Sequence, residues 1–308
     1  MAAQAGVIPS LVTWHGSAEL HRYFVCDVFT SEPLQGNQLA VFTDGRPFGP
    51  AEMQRLAREM NFAETVFLLP PEDGGDARLR IFTPGTELPF AGHPVLGTAF
   101  VVGSALDTDV VTLETAAGAV PVALERDGDR VVFGWMSQPV PGWEPFTHER
   151  ELLAALGVAS AELPVELYHN GPPHVYVRLA REEAVAALRP DMAVLEDLGV
   201  AVNCFAGRGR SWKTRMFYPA AGVREDPATG SAAGPLAIHL TRHGVIGLGD
   251  QIEIRQGAEI GRPSVLFAAI DGVGDRIDSV KVGGSALIVA EGRFRITEAS
   301  ASTRGRAG

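Results

Sequence analysis

The chain has 308 residues, 46% hydrophobic and 20% charged, with a formal net charge of −11. That length suits about two ordinary domains with a core in each, and the acidic balance argues against nucleic acid, whose recognition rests on clustered Lys and Arg. No apolar run approaches the roughly 20 residues that span a bilayer, and no basic segment leads into a compact apolar stretch at the start, so the reading is a cytoplasmic protein with no membrane partner.

Residues 1–20 read as a loose N-terminal extension. Residues 22–29 read as a first strand, followed by a turn over 31–36 and a short strand over 39–42. Over 50–60 an apolar stripe of Met53, Leu56, Ala57 and Met60 among charged residues predicts a helix that Asn61 ends. Residues 64–69 (ETVFLL) and 77–82 are strands, the second alternating Arg with apolar side chains. A small-residue helix covers 94–102, and strands are expected at 110–114, 119–124 and 130–135. The Pro-rich segment 138–145 reads as a linker, dividing the chain into halves at 21–140 and 141–297. In the second half, helices are expected at 149–156 and 181–188 and strands at 166–169, 174–179, 201–205 and 214–218. Strands at 251–255, 264–269 and 285–289 close it. The many strands with few long helices indicate an α+β architecture. The end of the chain, 298–308, is small, polar and basic and reads as an unfolded tail.

Two stretches share one plan. Residues 222–244, GVREDPATGSAAGPLAIHLTRHG, pass from an acidic turn through small residues into a helix, with Thr229 or Ser231 as the capping hydroxyl and Gly244 as the stop. Residues 86–103, TELPFAGHPVLGTAFVVG, do the same with Gly92 and His93 near the helix start. Glycine at such a start lets backbone N–H groups converge at the positive end of the helix dipole, which attracts an anion such as a carboxylate. The alternative for the later stretch is an acidic turn on a surface helix. Two copies roughly half a chain apart suggest an internal duplication, with a ligand between facing helix ends.

Three side chains stand out for chemistry. Glu64 opens an apolar strand. It is either an exposed strand-start carboxylate or a desolvated one whose raised pKa suits it to carry a proton near neutral pH. His93 sits where the helix dipole disfavours its charged form, and Asp226 holds the matching place in the second copy. The remaining histidines (His15, His21, His148, His169, His174, His239 and His243) read as structural. Cys26 and Cys204 lie in apolar surroundings without Cys-x-x-Cys spacing, so buried inert thiols are expected rather than a disulfide or zinc site. No nucleotide, zinc-protease or serine-esterase motif stands out.

The sequence also resembles the PhzF family of phenazine biosynthesis from about His21 to Thr297. The resemblance is carried by DVFTSEPLQGNQLAVF (27–42), REMNFAETVFLLPP (58–71), RIFTPGTELPFAGHPVLGTA (80–99), YHNGPPHVYV (168–177), NCFAGRGRSWKTRMFYPAAGVREDPATGSAAGPLAIHLTRHG (203–244) and QGAEIGRP (256–263). Asn-x-x-Glu-Thr, Phe-Ala-Gly-His-Pro and Glu-Asp-x-Ala-Thr-Gly-Ser-Ala mark the wider superfamily. YHNGPPHV and NCFAG-x-G-R are more specific to the isomerase. The resemblance implies a diaminopimelate-epimerase-like fold, two similar halves each wrapping a β-barrel-like sheet around a central helix, and a homodimer without cofactor or metal. It implies isomerisation of trans-2,3-dihydro-3-hydroxyanthranilate by proton transfer from C3 to C5, giving an enol that becomes a ketone. Carried over, the catalytic glutamate falls on Glu64, and His93 and Asp226 on groups that assist. Gly92, Gly230 and Ser231 fall on the positions that bind the substrate carboxylate. The departures are the N-terminal extension and Pro227 within the acidic motif, neither of them at an acid or base. The alternative is a related isomerase or epimerase for another small amino or hydroxy acid; the epimerase relatives use two thiols, and here Cys26 and Cys204 lie away from those positions.

Overall fold

Both small-residue stretches are helices, and strands sheathe each of them. The structure is a computed structural model that describes residues 19–274 and 276–296. The expected extension and tail therefore fall mostly outside the described residues. In the first half the elements are β1 (Glu19–Val28), β2 (Asn37–Phe42), α1 (Pro50–Met60), β3 (Glu64–Leu69), β4 (Ala77–Phe82), β5 (Glu87–Leu88), α2 (Gly92–Leu106), β6 (Val110–Thr115), β7 (Gly118–Asp127) and β8 (Arg130–Gln138). The second half runs β9 (Gly142–Pro145), α3 (Glu149–Leu156), β10 (Glu166–His169), β11 (Pro173–Arg178), α4 (Glu182–Ala187), α5 (Met192–Leu198), β12 (Ala201–Arg208), β13 (Ser211–Tyr218), β14 (Val223–Asp226), α6 (Gly230–Arg242), β15 (Gln251–Gln256), β16 (Ser264–Val273), β17 (Arg276–Gly284) and β18 (Ala286–Ile296).

Local chemistry explains the boundaries. Pro50 suits the first turn of α1, and the Glu52 carboxylate accepts the Gly49 N–H at 3.1 Å. Asn61 ends the helix in the left-handed conformation, φ 53°, its N–H reaching Ala57 O. β5, β14, β17 and α5 were not anticipated. The first two are short, and α5 depends on Asp191, whose side chain accepts the Ala193 and Val194 N–H groups. The expected linker over 138–145 is partly strand: β9 pairs with β10.

In the first half, parallel β2–β3 and β4–β6 pairings alternate with antiparallel β1–β2, β3–β4, β6–β7 and β7–β8. The second half repeats this, with parallel β11–β12 and β13–β15 among antiparallel β10–β11, β12–β13, β15–β16 and β16–β17. β8 pairs with β17, joining the halves, and β18 crosses back to run antiparallel to β1.

The central helices are buried nearly all round, which is why their sequences are small and apolar rather than amphipathic. Leu96, Ala99 and Phe100 of α2 and Leu236, Ala237 and Leu240 of α6 belong to one core that runs through both halves. Outside the sheets, α1 packs Met53 and Leu56 on Phe42, Phe67 and Phe82. In the second half α3, α4 and α5 bury Leu152, Leu156, Val185 and Leu195 against Val175, Val202 and Phe217. The arrangement presents two rigid helix N-termini to each other at the joint between the halves.

Candidate active site

The N-termini of α2 and α6 meet at two glycines. A Cβ on Gly92 would stand 2.8 Å from Gly230 C and from Ser231 N, and one on Gly230 would stand 3.2 Å from Gly92 Cα. Only glycine fits such an approach. Neither helix has a side-chain cap: Ala91 and Thr229 occupy the N-cap positions without one. The expected capping hydroxyls are thus employed elsewhere. Thr229 Oγ1 donates to Asp226 Oδ2 at 2.6 Å, and Ser231 lies inside the helix with its Oγ 3.0 Å from His174 Nε2. Pro94 has no N–H and the Ala232 N–H already donates to Thr229 O at 3.0 Å, so among the described residues the Gly92, His93, Gly230 and Ser231 amides are left to face an anion, at the positive ends of two dipoles.

Around this point lies a cluster of buried acids and bases. Glu64 Oε2 and His93 Nε2 approach to 3.2 Å but are out of hydrogen-bonding alignment, so each is left without a partner, as is Asn37 Oδ1. Burial, and then the negative charge of Asp226, holds the Glu64 carboxyl well above the usual carboxylate range. Burial pushes His93 down to about 3, against a backbone hydrogen bond at Gln38 that favours the charged form. Asp226 is pushed up to about 6 by burial, restrained by hydrogen bonds from Thr229 and Asn37. Asn37 Nδ2 donates to Asp226 Oδ1 and to Ala228 O, both at 2.9 Å, and lies 3.3 Å from His93 Nδ1. Gln256 Nε2 donates to Asp226 O at 2.8 Å and to Thr229 Oγ1 at 2.9 Å, closing the network from beneath. A neutral imidazole and two carboxyls with upward-shifted pKa values can exchange protons with a bound molecule near neutral pH.

The other wall comes from the second half. Pro235 lies inside α6 and has no N–H for the Ser231 carbonyl one turn before it. Asn170 Nδ2 fills that gap, donating to Ser231 O at 2.8 Å and to Gln138 Oε1 at 3.0 Å. Gln138 Nε2 in turn donates to Gly230 O at 3.0 Å.

Glu64, Gly92, His93, Asp226, Gly230 and Ser231 all line one cavity of about 80 Å³. It is small beside the roughly 300–1,000 Å³ of drug-sized pockets, so it suits a compact molecule. A vestibule of about 690 Å³ adjoins it, lined by Asn37 and Asp226 with Arg58, Arg224 and Arg262. Sequence reasoning missed Asn37, Thr229 as a partner of Asp226, Gln256, and above all His174, which was read as structural but lines the cavity. Asn37 and His174 sit in the quoted stretches of resemblance, the one signal that marked them. Cys26 and Cys204 are fully buried with thiols pushed up to about 12 by burial, away from the cavity. His239, read as structural, is also fully buried. Among the described residues Glu166, His239 and His243 come close enough to suggest a metal set, but Arg242 Nη1 already donates to Glu166 Oε2 at 2.6 Å.

The sequence profile for phenazine biosynthesis-like proteins (PhzC-PhzF) matches residues 26–292. A trans-2,3-dihydro-3-hydroxyanthranilate isomerase from Pseudomonas aeruginosa is 56% identical over 275 residues, 89% of this chain and 99% of that protein. Among solved structures, a phenazine biosynthesis protein of the PhzF family from Bacillus anthracis superposes with a TM-score of 0.79 at 24% identity, covering 90% of this chain and all of that one. A protein from Pseudomonas aeruginosa described as a predicted epimerase matches with a TM-score of 0.76 and 32% identity over 89% of this chain and 99% of that one.

Proposed function

The chain belongs to the family of phenazine biosynthesis-like proteins, and from that premise we propose that it is a trans-2,3-dihydro-3-hydroxyanthranilate isomerase of phenazine biosynthesis. Its fold is the diaminopimelate-epimerase-like α+β arrangement of two halves. We divide them at 140/141, with β18 returning to the first. The observation that carries the functional reading is Glu64: a half-buried carboxyl whose buried Oε2 has no hydrogen-bond partner, in a small cavity at two facing helix ends.

The substrate carboxylate sits on the first-turn amides near Gly92 and Gly230 and on Ser231. Glu64, as carboxylate, takes the proton from C3. The C–H electron pair moves into the ring, the conjugated double bonds shift, and the same carboxyl returns the proton to another ring carbon, giving an enol that tautomerises to the ketone. Burial strengthens the carboxylate as a base, and a substrate that fills the small cavity keeps water from exchanging the carried proton. Asp226 faces the amino and hydroxyl substituents, and neutral His93 hydrogen-bonds to them and assists the tautomerisation. No step calls for a metal or cofactor.

The enzyme acts as a homodimer in the cytoplasm. Half-buried Phe133, Trp135 and Phe267, packed ring against ring on the outer sheet near exposed Val265, support self-association. Sedimentation at the mass of one chain would refute that part. Two free buried thiols suit a reducing compartment, and no described helix is long and apolar enough to cross a membrane.

The test is proton NMR of the trans-2,3-dihydro-3-hydroxyanthranilate reaction in deuterated water. Enzyme-dependent loss of the C3 proton is the expected result. Protium at the receiving carbon, C5 by the family resemblance, is expected when the carried proton is returned without exchange; deuterium there would show that it exchanges with water first. An unchanged substrate would leave the chain as an isomerase of a different small acid.

A further inference from the structure

The cavity that Glu64 lines also contains a second buried histidine, to which the proton transfer gives no part. His174 Nε2 is 3.0 Å from Ser231 Oγ, and its Nδ1 is 3.3 Å from Asn203 Nδ2. His174 stands on β11 and Asn203 on the parallel neighbour β12, where His174 pairs with Ala201 and Tyr176 with Asn203.

The orientation of the Asn203 amide is fixed by backbone. Its Nδ2 also lies 3.2 Å from Ala201 O and 3.3 Å from Val175 O. Turning the amide over would set its oxygen against both carbonyls, so the NH2 group must face this way. A proton on His174 Nδ1 would then oppose an amide donor. Nδ1 is therefore bare. Burial pushes His174 down to about 3, so the ring carries one proton, and it resides on Nε2.

That proton points at Ser231. An Nε2–H donor can only be accepted by the serine oxygen, which leaves the serine with its own single proton to place. Within the described residues its Oγ has no hydrogen bond except the one to His174, and both side chains line the cavity. The hydroxyl proton is thus available to the ligand. With the opposite tautomer the serine would donate to His174 and turn lone pairs toward the cavity, which repels an anion. The turn of α6 that carries Ser231 is itself held, because Asn170 donates to the carbonyl that Pro235 leaves free.

We infer that His174 is a positioning residue: held by Asn203 with its proton on Nε2, it donates to Ser231 Oγ and so commits the Ser231 hydroxyl to donate to the carboxylate of a bound ring acid. This deepens the isomerase reading and rests on it for the identity of the ligand. The polarity of the site is set from one shell outward, by an amide that does not touch the cavity's occupant.

Two measurements test it. Nitrogen-15 NMR of the histidine rings in the ligand-free protein should show His174 with a bare Nδ1 and a protonated Nε2. The reverse tautomer would overturn the inference, and this readout is independent of any turnover. The second follows binding of benzoate, a plain ring carboxylate, beside KM and kcat for the proposed substrate. H174F keeps the ring but removes the donor, and should weaken benzoate binding and raise KM about tenfold while changing kcat far less. H174Q places an N–H donor near the same spot and should restore most of that loss. In a Ser231→Ala background, H174F should add almost nothing, because the effect passes through the hydroxyl. An equal loss with and without Ser231 would overturn the inference. Should the wild type bind benzoate with this pattern yet leave the proposed substrate unchanged, the isomerase reading fails and the positioning role stands.

Discussion

Oε2 of Glu64 and Nε2 of His93 stand 3.2 Å apart, and neither has a hydrogen-bond partner. Two polar atoms left this way in a buried site are an unmet demand that a ligand with its own donors and acceptors can satisfy. The proposed substrate has an amino group, a hydroxyl and a carboxylate. Glu64→Gln keeps size and polarity but cannot accept a proton. It should abolish turnover while leaving substrate affinity within roughly tenfold, about 1.4 kcal/mol. Near wild-type turnover in Glu64→Gln with a dead Asp226→Asn would move the shuttle to Asp226.

Stability against pH should report on Asp226. The folded carboxyl holds its proton up to about 6, against 3.8 for an aspartate free in water. Between those values this carboxyl binds more proton in the folded than in the unfolded state, so its own contribution to stability falls as pH rises through this window. A difference of that size corresponds to about 3 kcal/mol. Asp226→Asn removes the charge, so its denaturant-unfolding free energy should decline less between pH 4 and 6 than the wild type's. Parallel curves would show that Asp226 is not held by burial in this way.

His93 acts in the opposite sense: folded it stays neutral down to about 3, while the unfolded imidazole takes a proton below about 6.5, so its contribution to stability rises with pH across that window. His93→Gln should lower kcat by about 10²-fold, the low end for a positioned proton-transfer group. A titration of His93 near pH 6.5, seen by NMR in the free protein, would contradict the buried neutral state.

Ser231→Ala should act mainly on binding. Loss of a hydrogen bond to a charged group costs roughly 1–3 kcal/mol, which should appear in KM. A complex in which the carboxylate points away from Ser231 would exclude the role.

Gly92→Ala tests the contact between the helix ends. The added methyl would lie 2.8 Å from Gly230 C, and backbone there cannot yield cheaply. A loss of about 1–3 kcal/mol in stability is expected for an overpacked site, with weakened substrate binding as the amides part. An unperturbed variant would mean that the ends are free to separate.

The sequence made the two central helices legible because burial on all sides demands small apolar residues throughout, and both stretches have them. Glu64, His93 and Asp226 stood out by position at the start of a strand or helix. The supporting groups did not. Asn37 begins an ordinary strand, and Gln256 ends one. Their roles arise from pairings across 189 and 30 residues, to Asp226 Oδ1 and Asp226 O, which no local pattern encodes. His174 looked structural for the same reason. Thr229 was read as a cap on its residue type alone, and the nearby Asp226 oxygen outcompeted the helix amides for its hydroxyl. Strand β17 alternates weakly and was missed, although it is the strand that joins the halves through β8.

The return of β18 to β1 has a consequence for how the chain acquires its shape. Val28 pairs with Ala286 and Glu19 with Ile296, so one flank of the first strand meets its neighbour only after more than 250 intervening residues have been made. During synthesis, at about 5–20 residues per second, β1 waits through most of translation with one edge open and available to other chains. Such distant pairing is slow to form because a long loop must close first. The first half can collapse around α2 early, but its seal arrives last, and the seal comes from the far end of the polypeptide. A nascent chain stalled before residue 286 should therefore be prone to aggregation even though every residue that meets the ligand is already present.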